Sequence, residues 1–184
     1  MEVSTINAPS PEYLIFVCPD GRDVGFSAKV AAARYFSVSP DKVQVHKIYG
    51  ADKALASQGQ VTLEFFWETV LFARQNWTTL KGVVIVGHLF CGANPGSTDM
   101  HWEQLDAAKD QFAPQLANHD LSCHTLLLHY TENPSSPGVI LLDRIHEIIT
   151  GNHRETFYGW EPEWEADHKE ARTHTSSDGR LIEV

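Results

Sequence analysis

A long apolar run is the first thing this sequence lacks. No stretch of its 184 residues approaches the ~18 consecutive apolar residues that span a bilayer. The opening MEVSTINAPSPEY also lacks the basic segment followed by an apolar one that marks a secretory leader. A cytoplasmic protein with no membrane partner is the expectation. Basic residues are scarce as well: 14 Lys plus Arg stand against 24 Asp plus Glu, a formal net charge of -10, and no window forms a basic stripe. Such a surface repels phosphate backbones, so nucleic acid is not an expected partner. Cysteine is limited to Cys18, Cys91 and Cys123, too few and too odd in number for a disulfide framework. In a reducing compartment these are packing, metal-binding or catalytic groups.

What is present has the make-up of a globular protein, 42% hydrophobic and 21% charged, at a length that fits one domain. YLIFVC (13–18) is a continuous apolar run bounded by Pro, Asp and Gly, and reads as a buried strand. The Ala-rich segment 26–38 reads as a helix, and VQVHKIY (43–49) as a second strand that alternates apolar and polar residues. Leu63, Phe66, Trp67, Val70 and Leu71 recur at helical spacing within 60–77. KGVVIVGH (81–88) is β-branched and apolar on both faces, the pattern of a strand inside a parallel sheet. A helix interrupted or reshaped near Pro114 is expected over 101–118, a fourth strand over CHTLLLHY (123–130), and a helix over GVILLDRIHEIITG (138–151) stopped by Gly151.

The expected order is therefore β-α-β-α-β-α-β-α. It describes an α/β domain over residues 1–166, a compact and mainly four-stranded parallel sheet with helices on both faces, followed by a polar tail over 167–184. FYGWEPEWEADH (157–168), with Trp160 and Trp164 one helical turn apart, reads as a segment docked on its own domain or on a sister subunit. Ligands of such a sheet bind beyond the carboxyl ends of the strands, where the strand order reverses. Cys18 ends the first strand and GHLFCG (87–92) ends the third, so the two motifs meet if those strands are neighbours.

His88 and Cys91 stand in an H-x-x-C spacing, with Gly87 and Gly92 allowing a tight backbone path. Thiolate with imidazole is zinc chemistry. The spacing alone is weak evidence. With Cys18 it makes a Cys2His set that leaves one coordination position open, the pattern of a catalytic rather than a structural zinc. Asp20 lies two residues past Cys18, and Arg22 two further on. An unpaired carboxylate beside a metal would bind it and close the site. A bidentate arginine holds the carboxylate back, which lysine could not do. Taken singly these residues have blander readings: Cys18 as core filler, Asp20 as a turn residue and Arg22 as half of a surface ion pair. Their mutual spacing favours the site.

CPDGR (18–22), followed about seventy residues later by a strand ending in GHLFCG, resembles the C-x-D-x-R and G-H-x-x-C-G motifs of the β-class carbonic anhydrases, and the resemblance covers residues 13–150. It implies one Zn2+ per chain held by Cys18, His88 and Cys91, with Asp20 and Arg22 as a gating dyad. It also implies a homodimer, and reversible hydration of CO2 to bicarbonate by hydroxide that zinc supplies. At low pH the family adopts a closed state in which the aspartate replaces water on the metal.

The chain departs from the family pattern in three places. HKIYGADKALA (46–56) stands where members usually carry Arg-Asn-Ala-Gly, the segment before the first strand is not expected to form the family's long N-terminal helical arm, and TENPSSPG follows the fourth strand in place of a Tyr-Asp turn. Carbonyl sulfide or carbon disulfide hydrolysis on the same site, a non-catalytic zinc-binding descendant, and a thiol redox protein using Cys18 with Cys91 are the alternatives. Cys123 is expected to pack in the core, and His124, His129 and His146 to lie near surfaces. His101 and His119 are candidate proton shuttles.

Overall fold

The computed structural model describes residues 10–20, 22–158, 173–175 and 181–183. Its centre is a parallel run of four strands: β2 (Val43–Lys47), β1 (Tyr13–Val17), β3 (Gly82–His88) and β4 (Ser122–Glu132), in that spatial order. Ile15 sits opposite Val45 on one side and Val84 on the other. Every residue of β3 is buried, as its unbroken apolar sequence requires of a strand covered on both faces.

Helices cover both faces. On one, the alanines of α1 (Val24–Tyr35) let its backbone approach closely, and Val24, Ala28, Ala31 and Ala32 pack on Ile15, Val17, Val84, Val86 and Leu126. On the other, α3 (Gln60–Asn76) and α4 (Thr98–Ala117) bury Phe66, Val70, Leu105 and Phe112 against Leu14, Phe16, Val83 and Ile85. The Phe66 and Phe112 rings stand 4.3 Å apart, centre to centre. Each such aromatic adds about 2–3 kcal/mol of burial. A short helix absent from the sequence reading, α2 (Ala51–Ala56), follows β2. α4 begins with the Ser97 side chain accepting the Met100 N–H, and it runs through Pro114 without a break. Pro114 and Asp110 are both exposed, so the carbonyl deprived of a donor has water within reach.

The expected final helix is not formed. Residues 140–150 are a strand, β5 (Ile140–Thr150), antiparallel to β4, and β6 (His153–Tyr158) pairs antiparallel with β5. Gly151 lies in the two-residue turn between them and stops no helix. The apolar residues of this segment satisfy a helical spacing and an alternating one equally. The free edge of β4 decides between them, because pairing there satisfies a row of backbone groups while Ile148 joins the α1-side core. The sheet thus has six strands, in the order β2-β1-β3-β4-β5-β6. A separate pair, β7 (Thr173–Thr175) and β8 (Leu181–Glu183), is antiparallel. The reading of Trp160 and Trp164, the boundary at 166 and most of the expected tail lie outside the described residues.

The change from helix to strand also moves His146. Expected near a surface, it is fully buried on the α1 side, opposite Leu128, with Phe157 beside it and neither ring nitrogen hydrogen-bonded among the described residues. Burial, with the neighbouring His129 adding repulsion, lowers its pKa from 6.5 to about 4. The unfolded chain therefore takes up a proton that the folded chain refuses between those values. Stability is full above pH 6.5 and falls as pH drops through the window, by about 3 kcal/mol for this group. Burial shifts His124 in the same direction. Urea unfolding followed from pH 7.5 to 4 will show this decline, and it will be shallower in His146→Leu. Equal pH slopes for the two proteins would refute the assignment.

Candidate metal centre

β1 and β3 are neighbours, and the strand order reverses between them, because the chain leaves β1 for β2 on one side and returns to β3 on the other. Cys18 follows the last residue of β1 and His88 is the last residue of β3. Cys91 lies three residues beyond, past a turn in which Phe90 takes a left-handed φ of 58°. Adding a Cβ at Gly92 would meet nothing within 4 Å, so the backbone strain falls on Phe90 and not on Gly92 as the sequence implied. One ligand atom from each of Cys18, His88 and Cys91 lies within 4.8 Å of the other two, and all three residues are buried.

The donor atoms fit a tetrahedral metal ion. The sulfurs of Cys18 and Cys91 are unbonded and 3.7 Å apart. Two thiolates ~2.3 Å from zinc at a tetrahedral angle stand ~3.8 Å from each other. The Nδ1 of His88 is 3.1 Å from the Leu89 carbonyl, which favours the tautomer with the proton on Nδ1. Its Nε2 is then a lone-pair donor, buried and without a partner among the described residues. A buried acceptor left unsatisfied costs about 1–3 kcal/mol, and a ligated cation removes that cost. The Cys18 thiol is drawn down to about 7, chiefly by the hydrogen bond from Cys91, with the Gly50 N–H also helping against burial. Cys91, as donor in that bond and buried, is pushed up to about 12. A metal ion would displace the proton of that bond.

Asp20 is not a member of this cluster. Its two carboxylate oxygens accept from Arg22 Nε–H and Nη2–H at 2.7 Å each, and the Arg22 backbone N–H donates to it at 3.1 Å. Burial opposes ionisation of Asp20, but the hydrogen bonds and charge of Arg22 outweigh it and hold the carboxyl below its usual range. Arg22 is itself fixed from two further directions: Nη2–H donates to the Phe90 carbonyl at 2.6 Å, and the guanidinium lies 5.2 Å from the Tyr130 ring centre. Phe90 belongs to the loop carrying Cys91, so the dyad is tied to the second motif through this carbonyl.

No family model matches this chain, and no curated protein matches it. A solved structure that does is one of two tetrameric beta-carbonic anhydrases from the filamentous ascomycete Sordaria macrospora, with 16% identity over 65% of this chain and 76% of that one and a TM-score of 0.33. At that level the likeness adds nothing to the geometry.

Several residues that shape the site carried no motif. Gly50, in the left-handed region at φ 54°, donates its N–H to Cys18 Sγ at 3.3 Å. Asp52, Asn94 and His101 are buried together just behind it. The sequence signal for Gly50 and Asp52 is the unfamiliar stretch HKIYGADKALA; His101, a candidate proton shuttle in the sequence, is hydrogen-bonded to Asp52, and Asn94 carried no signal. Cys123 packs in the apolar cluster under α3 and α4, away from the other cysteines, and burial pushes its thiol up to about 12. His119 is half-buried, its backbone carbonyl accepting from Arg74, and no hydrogen bond among the described residues connects it to the centre.

Proposed function

We propose that this protein is a zinc enzyme that hydrates CO2 reversibly to bicarbonate and a proton. The observation that carries the reading is a buried Cys-His-Cys donor set beside a carboxylate that a bidentate arginine keeps out of it. Cys18, His88 and Cys91 would hold the ion and leave one position for solvent. When bound, zinc lowers the pKa of a water so that it becomes a nucleophile near neutral pH.

The rest of the work falls to the chain. Asp20 accepts two hydrogen bonds from Arg22 on Oδ1 and one on Oδ2, so Oδ2 keeps acceptor capacity with which to orient a water. The Phe90 carbonyl and the Tyr130 ring stop Arg22 from releasing it. A cavity of about 590 Å³, lined by Leu89, Phe90, Cys91, Pro95 and Thr98 among others, opens beside Cys91, and its largely apolar wall suits a small uncharged substrate. A homodimer belongs to the same proposal. Val61, Phe65 and Phe72 on α3 leave apolar surface exposed, which a second subunit would cover. The three unbridged cysteines agree with a reducing cytoplasm.

Elemental analysis combined with stopped-flow CO2 hydration tests the proposal. About one zinc per chain and hydration that is lost on chelation and restored by zinc are expected. Zinc without hydration would overturn the anhydrase reading. Hydrolysis of carbonyl sulfide or carbon disulfide in that sample would reassign the substrate, and inactivity toward all three would leave a zinc-binding protein without catalysis.

A further inference from the structure

We propose that Asp52 and His101 form a buried clamp that sets the hydrogen bond from Gly50 to the Cys18 sulfur, and so act as positioning residues for the metal centre. The inference rests on the reading of Cys18, His88 and Cys91 as zinc ligands. A carboxylate and an imidazole in a core are costly even when paired, and apolar residues of similar volume would serve stability as well or better. Asp52 and His101 are nevertheless both enclosed, 2% and 0% exposed, and joined by a hydrogen bond between His101 Nδ1 and Asp52 Oδ2. What they touch indicates why.

Three segments that determine the ligand geometry meet at this pair. The first is the turn at Gly50, two residues before Asp52. Asp52 Oδ1 accepts the Lys53 N–H at 2.9 Å, which anchors the carboxylate within the first turn of α2, directly behind the Gly50 N–H that points at Cys18. The second is the end of β3. Gly87 precedes His88, and a Cβ there would stand 2.8 Å from Asp52 Oδ2, so the strand carrying His88 presses its backbone onto the carboxylate. The third is the loop after Cys91. Asn94 donates its backbone N–H to the Cys91 carbonyl at 3.2 Å, its side-chain amide lies 3.3 Å from His101 Nδ1, and the same amide donates to Gln104 Oε1 at 2.6 Å. A Cβ on Gly50 would also stand 3.4 Å from Asn94 Cβ. His101 and Gln104, on one face of α4, thus hold the Gly50 turn and the Cys91 loop together through Asp52 and Asn94.

An N–H donated to a thiolate withdraws charge from the sulfur and fixes its direction, as outer partners of metal ligands do. Loosening the clamp therefore weakens and alters the centre even when the fold persists. The test uses the full chain as wild type, Asp52→Asn and His101→Gln, with Leu116→Ala as a control that removes a buried α4 side chain at the far end of the helix from the clamp. Zinc affinity is measured by chelator competition, and the sulfur-to-metal charge-transfer bands are recorded on the cobalt-loaded proteins. Both clamp variants are expected to bind zinc ~10–100-fold more weakly with shifted cobalt bands, while Leu116→Ala keeps wild-type affinity and bands. In wild-type protein loaded with ¹¹³Cd, the Gly50 amide proton is expected to show scalar coupling to the metal.

Unchanged affinity and bands in the clamp variants, with tight zinc in wild type, would overturn the clamp and leave the zinc reading standing. Absence of the Gly50 coupling would do the same, and it can be read even if no variant folds. Wild type that binds no zinc would overturn the metal reading and the clamp with it.

Discussion

Replacing Cys91 with serine will empty the metal centre. Zinc content is expected to fall from about one ion per chain to a trace, and affinity to fall by more than the ~10–100-fold that loss of an outer partner costs. The sulfur is the part that matters. Serine keeps the size of the side chain, but its hydroxyl stays protonated at neutral pH and offers a poor ligand where a thiolate is needed. Cys91 is buried at the distance from Cys18 that one shared ion requires. His88→Ala is expected to act in the same way by removing the unpartnered Nε2. Cys123→Ser supplies the control, since that thiol is packed among apolar side chains under α4 and should leave zinc untouched. Metal analysis after dialysis against a weak chelator gives the result. Full zinc in Cys91→Ser would refute the ligand assignment.

Arg22→Ala should separate catalysis from metal binding. Zinc remains, and the hydration rate falls ~100–1000-fold, the scale of loss when one preorganised group at a reacting centre is removed. The cause lies in what the guanidinium restrains. Asp20 and Arg22 have side chains only 15% and 11% exposed, and Arg22 makes both long-range contacts of the dyad, to Phe90 and Tyr130. Without it the Asp20 carboxylate loses its counter-charge and is free to turn toward the donor set. The fold should lose about 2–3 kcal/mol in the same variant, because a largely enclosed carboxylate and the Phe90 carbonyl are both left without their donor. Arg22→Lys is expected to restore part of the stability and little of the rate. A single ammonium cannot bond both oxygens of Asp20 and the carbonyl at once. Zinc content, hydration rate and urea midpoint measured on the three proteins decide the matter. Hydration within a few-fold of wild type in Arg22→Ala would dispose of the gating role.

Legibility from sequence differed sharply between parts of the molecule. β1 and β3 could be read because strands buried on both faces must be apolar throughout, and nothing but a parallel sheet under helices accommodates two of them. α3 could be read because a helix packed on one side has to repeat its apolar residues at i, i+3 and i+4. The segment 140–150 could not. ILLDRIHEIIT is compatible with either period, and the open edge of β4, a feature of the assembled sheet, chose the strand. His146 went from surface to core with that choice.

By itself the sequence determined which groups could do chemistry: two cysteines, a histidine, an aspartate and an arginine at spacings that place each at a strand end. Local spacing sets local geometry, so the Asp20–Arg22 pair and the His88–Cys91 turn were there to be read. Only the tertiary structure decided that the two halves converge, by making β1 and β3 neighbours where the strand order reverses. It alone also brought Asp52, Asn94 and His101 behind Cys18, because those residues lie on three separate elements whose contact no periodicity encodes. A hydrogen-bonded cluster of that kind follows from packing, and packing is settled only when the whole chain is in place.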